Sequence, residues 1–218
     1  VSEPSYFDDE EKAKALKAEA RSWLGTPFRE YYQQSLSRKV DLKGIGGGID
    51  CVGLVQEIMA RVGASEDFIF PRDPGDYQSH QTGEKVLDWL RGKADDSQSK
   101  RLGEILVELS VPDKVIDPHA ETPRDFFKPG DICVLKHGSL FHLPVIVDRD
   151  LHFVNALPRA GVIEGTIQDS TYSVHLVSVF RVRAKVEKTI QPDSQKKTKR
   201  AELLSGGKSA GRNSNSGR

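Results

Sequence analysis

The chain has 218 residues, with 37% hydrophobic and 29% charged, enough for one ordinary domain and an appendage. No apolar run approaches the roughly 20 residues that a membrane-spanning helix requires, so no membrane span is expected. The balanced 32 Lys/Arg and 32 Asp/Glu conceal an asymmetry, because residues 181–218 hold 11 basic and 3 acidic residues and leave the rest acidic.

The opening stretch "VSEPSYFDDEEKAKALK" is acidic and then basic without an apolar core, so no secretory signal is legible in it. The compartment stays open: cytoplasmic, phage-associated, or secreted after removal of an upstream segment. A helix is predicted from about Asp9 to Leu24. Its acidic start and basic continuation suit the helix dipole, and Ala13, Leu16, Ala20 and Trp23 make its apolar stripe. Gly25 and Pro27 stop it. A loop then leads to "GIGGGIDCVGLVQEIMARVG", where Val52, Val55, Ile58, Met59 and Val62 keep a helical period up to Gly63. "FIFPRDPGDYQSHQTG" is turn-rich. Two short helices are predicted around "EKVLDWLRG" and "KRLGEILVELS". After Pro129 the period changes. "GDICVLKHG", "FHLPVIVD", "LHFVNAL", "AGVIEGT" and "VHLVSVFRVRAK" read as a meander of antiparallel strands. Helices first and strands second make an α+β domain over residues 1–190. Residues 191–218 are basic and rich in Ser, Gly and Lys, and too poor in apolar groups to offset their ordering entropy, so disorder is expected. The "GGKS" within them lacks the leading glycine and preceding strand of a phosphate-binding loop.

Chemistry concentrates at Cys51. Only two cysteines are present, Cys51 and Cys133, and both are expected to be free thiols. First-turn N–H groups of a helix carry partial positive charge, which favours a thiolate and can hold an oxyanion. Gly46, Gly47 and Gly48 are expected to let the backbone approach a substrate, and Asp50 to cap the helix and read a substrate amine. The competing reading is a buried cysteine packing as a small hydrophobe. A thiolate nucleophile needs a base, and six histidines are available: His80, His119, His137, His142, His152 and His175. His142 opens a strand and can face a cleft; the others are read as solvated or turn residues. Strand alternation lets only one of His152 and Asn155 reach the His142 ring. No CxxC or HxxxH spacing is present, so neither a zinc site nor another cofactor is expected.

"ARSWLGTPF", "GGGIDCVGLVQEIMARVG", "FFKPGDICVL", "HLPVIVD" and "FVNA" followed by "GV" occur in that order from Ala20 to Val162. In this they resemble the NlpC family of papain-like cysteine peptidases, and "DCVGLV" is most similar to phage-tail and phage-associated members. The resemblance implies a papain-like fold, N-terminal helices packed on a small antiparallel sheet. It also implies hydrolysis of amide bonds in bacterial cell-wall peptides. By matched position it implies Cys51 as nucleophile, His142 as base and Asn155 as the residue that orients the base. Around them, Asp50, Val52, Phe28, Tyr31 and Tyr32 are the substrate-binding candidates. Three positions depart from the family pattern. Val52 stands where serine is common, Leu143-Pro144-Val145 where Val-Gly-Ile is usual, and Phe28 where tyrosine is usual; Tyr31 or Tyr32 could supply the missing hydroxyl. Proline lacks an N–H, so its strand must lie at an edge or be locally irregular. These departures bear on substrate identity more than on catalysis. The rival readings are an inactive NlpC-like binding or phage-tail structural module, an amidase acting on a non-wall substrate, and a basic tail that contacts nucleic acid or an anionic wall polymer. Oligomeric state is not legible.

Overall fold

The computed structural model describes residues 3–29, 42–64, 85–94, 97–112 and 125–184. The candidates Tyr31 and Tyr32, the histidines His80 and His119, the turn-rich segment 68–83 and the basic tail lie outside the described residues.

A 3-10 turn, Tyr6–Asp8, is closed by a capping box on Ser5 and leads into α1, Glu10–Arg21. Asp9 caps α1 by accepting from the Lys12 N–H, while Leu16 and Ala20 face the core. Helix α2, Cys51–Arg61, is capped by Asp50 and buries Leu54, Val55, Ile58 and Met59. Next come α3, Lys85–Leu90, and α4, Ser97–Ile105. The chain then turns to strands: β1, Leu106–Leu109; β2, Ile132–His137; β3, Leu140–His142; β4, Val145–Ile146; β5, His152–Leu157; and β6, Gly161–Thr166. A single helical turn, α5, Ser170–Ser173, precedes β7, Leu176–Val182. Helix and antiparallel sheet together make an α+β fold.

Two sequence expectations are corrected. The "KRLGEILVELS" segment is helical only as far as Ile105; Leu106–Leu109 form a strand paired with β7, from Leu106↔Val182 to Leu109↔Val179. Four residues as apolar as "LVEL" suit either state, and the open edge of β7 decides for the strand. The sheet is also more than a meander. Among the described residues its order is β1-β7-β2-β4-β5-β6, with β3 also on β2, so the last strand returns to the far side of β2.

The sheet has two buried faces. Phe141, Leu143, Val145, Val147, Val154 and Ala156 join the residues of α1 and α2 in one cluster. Ile146, Phe153, Cys133, Leu135 and Val179 form a second cluster on the opposite face. Pro144 falls in the two-residue gap between β3 and β4, so the missing N–H costs no ladder bond, and its carbonyl still accepts from the Cys133 N–H at 2.9 Å. A buried pair ties β7 to the start of β2: Arg181 grips Asp131 through two hydrogen bonds of 2.8 and 2.7 Å. Both side chains are almost wholly shielded from solvent.

Candidate active site

Asp50 lies in extended conformation and accepts from the Gly53 N–H at 2.6 Å, which starts α2 at Cys51. The approach to this turn is locked from outside. Ile49 donates to the Pro27 carbonyl at 3.0 Å, and Arg29 donates to the Ile49 carbonyl at 3.2 Å, forming a parallel bridge between Phe28 and Ile49. Phe28 therefore lies beside the strand end that delivers the cysteine. The glycines before it serve packing more than ligand access, contrary to expectation. A Cβ on Gly47 would collide with the Leu42 carbonyl, and one on Gly48 with the Arg29 side chain. Gly46 alone of the three faces open space.

Cys51 is a free thiol, 3% exposed. Burial and the Asp50 carboxylate push its pKa up to about 12, against the opposing pull of the Leu143, Val52 and Cys51 backbone N–H groups. The expected first-turn amides do act on the sulfur, but desolvation outweighs them, so the resting group is the thiol, not the thiolate. Cys133 is also buried and its pKa is raised well above the ordinary value, by burial first and by Asp131 second.

The Leu143 N–H that acts on the sulfur belongs to the residue after His142, so the start of α2 meets the β3–β4 junction at Leu143, whose side chain shares a core cluster with Cys51. His142 is half-buried, and burial together with His137 lowers its pKa to about 4. Asn155 is fully buried on β5. In the β4–β5 register Val145 pairs with Val154, so Asn155 lies one residue beyond that pairing, on the side of the β3–β4 gap that leads back to His142. The expected orienting hydrogen bond is absent: the Nδ1 of His142 and both amide atoms of Asn155 are buried without a partner.

His152 faces the other way, as alternation requires. Its Nδ1 lies 3.0 Å from each Asp148 carboxylate oxygen, and Lys17 of α1 reaches Asp148 at 2.9 Å. Burial pushes the Asp148 carboxyl up, but Lys17 and His152 outweigh it and hold it below the ordinary range. Asp148, His152 and Glu164 bring potential ligand atoms within 4.8 Å of one another, a metal-capable spacing formed around the β4–β5 turn. Lys17 and Arg21 already neutralise the two carboxylates there. Val52 is partly buried against the core.

Sequence alone gives His137 and His175 only as solvated or turn positions. His137 closes β2 with its ring 5.8 Å from that of His142, and His175 lies 3.9 Å from His137. The short "KHGSL" hairpin was the available signal for the first. Nothing local marks the second. Among the described residues no helix is long and apolar enough to cross a membrane. No protein-family model and no curated protein matches the chain.

Proposed function

We propose that the protein is a cysteine amidase of NlpC type that hydrolyses amide bonds in bacterial cell-wall peptides. One observation carries the reading: the thiol of a helix-opening cysteine lies under the amides of Cys51, Val52 and Leu143, the last adjacent to His142. His142 takes the thiol proton as Cys51 Sγ attacks the amide carbon, and the carbonyl π electrons move onto oxygen, where first-turn amides receive the charge. Collapse of that adduct breaks the C–N bond, His142 returns the proton to the leaving amine, and a thioester remains. Water, losing a proton to His142, cleaves the thioester and regenerates the thiol. Asn155 orients the imidazole once the two side chains lean together, and Phe28, Asp50 and Val52 shape the substrate side.

A second reading is an inactive binding or structural module, favoured by the neutral, buried thiol and by the unmade Asn155 bond. Digestion of purified peptidoglycan, followed by mass spectrometry, separates the two. Wild-type protein should release stem-peptide fragments that Cys51→Ala does not. Identical product maps from both proteins would leave the inactive module standing.

A further inference from the structure

We propose that His137 is a positioning residue for His142, its ring holding the imidazole from across the β2–β3 hairpin, with His175 packed behind it. The inference rests on the reading of Cys51 and His142 as nucleophile and base.

Because the Nδ1 of His142 is buried without a hydrogen-bond partner, no acceptor fixes the rotation of its ring. Packing must do so. The pairs Leu135↔His142 and His137↔Leu140 make His137 and His142 diagonal neighbours on one face of the hairpin. Their rings meet edge to face, with centroids 5.8 Å apart and planes at 65°. His137 is itself backed by His175, at 3.9 Å and 43°. His175 is fixed in turn because its carbonyl accepts from the Lys136 N–H at 2.8 Å. The hairpin's other large ring, Phe141, packs into the opposite core and offers His142 no support.

The same contact carries charge. His137 faces His142 from β2, with His175 behind it from the segment before β7. Lys136 lies over the Phe141 ring on the other face of the hairpin. Burial and His175 hold the His137 pKa below the ordinary histidine value, as burial and His137 do for His142. Both rings are then neutral near pH 7. As the pH falls, a proton on His137 opposes one on His142, which keeps the base free to act further into acid.

The test is the pH profile of Cys51 alkylation by iodoacetamide in the full chain, read by peptide mass spectrometry for wild type, His142→Ala, His137→Ala and His137→Phe. His137→Ala should lower the neutral-pH rate on the order of 10-fold through a misplaced ring. His137→Phe keeps an aromatic edge, so it should restore most of that rate. Without a neighbouring cation, its acid-limb midpoint should move to higher pH. If His137→Ala fails to fold, the midpoint shift in His137→Phe still decides. A His142-dependent wild-type profile with neither rate nor midpoint altered in the His137 variants overturns the proposal, as does a His137→Phe rate no better than that of His137→Ala. Coincident profiles for wild type and His142→Ala would instead refute the Cys51–His142 pairing beneath it.

Discussion

Replacing Asn155 by leucine should make the protein more stable and less active. The side chain is fully buried, and neither amide atom has a hydrogen-bond partner. Leaving a buried polar group unsatisfied costs about 1–3 kcal/mol. Leucine is close to asparagine in reach, and Ile146 and Phe153 lie on the same face of the sheet. The gain should therefore be about 1–3 kcal/mol, after some loss to imperfect fit. Urea unfolding at pH 7 reads this as a higher midpoint with an unchanged slope, since the surface exposed on unfolding is the same. Asn155→Ala removes the amide but leaves a cavity, so its stability should lie near or below that of wild type. Both variants should lose roughly 10²-fold in peptide turnover, the low end for an acid–base contribution, if Asn155 orients the base in the substrate complex. His152→Ala, by contrast, should leave turnover unchanged. A leucine variant destabilised by more than about 1 kcal/mol would mean that the amide is paired in the native protein, and the reasoning would fail.

Other consequences are as direct. Arg181→Ala leaves the Asp131 carboxylate buried and uncompensated and should cost about 3–5 kcal/mol in a denaturant titration; a loss below 1 kcal/mol would contradict the burial of that pair. Alkylation at pH 7 should label Cys51 slowly and ever faster toward alkaline pH, while Cys133 stays unlabelled until the protein unfolds; equal rates for the two thiols would count against any special setting for Cys51. His142 titrates near 6.5 when unfolded but near 4 when folded, so between those values the unfolded chain binds more protons and stability falls as pH is lowered. The loss from pH 7 to pH 4 should be about 2 kcal/mol once partial solvent exposure is discounted, and His142→Gln should abolish that part of the slope. An unchanged slope in His142→Gln would show that the imidazole is not held neutral by the fold.

The start of α2 was legible because its signals are local: an aspartate cap, then apolar residues at helical spacing from Val52 onward. β5 and β6 were legible for the same reason, as apolar and β-branched runs between turns. β1 was not, because "LVEL" becomes a strand only through its pairing with β7, some 70 residues away. The Asp131–Arg181 pair and the approach of His175 to His137 are likewise products of β7 returning to β2. That pairing also contains a register irregularity between Val134 and Leu135, which no single-segment pattern can announce. Alternation correctly separated His152 from Asn155. It could not show that Asn155 would stop short of His142, since that depends on a register fixed at Val145 and Val154.

Burial governs this site. It raises the thiol and lowers the imidazole, so it favours the uncharged member of each pair and opposes an ion pair at rest. On the proposed reading, the proton must then move as the sulfur attacks, and negative charge appears first on the substrate oxygen. The amides of α2 are fixed before substrate arrives, so they stabilise that charge without reorganising. Asp50 sharpens the same bias, since its carboxylate caps the helix but raises the cost of a thiolate one residue away. On the proposed reading, an aspartate that disfavours the free thiolate works against indiscriminate thiol chemistry and leaves attack to an amide carbonyl already seated against the helix.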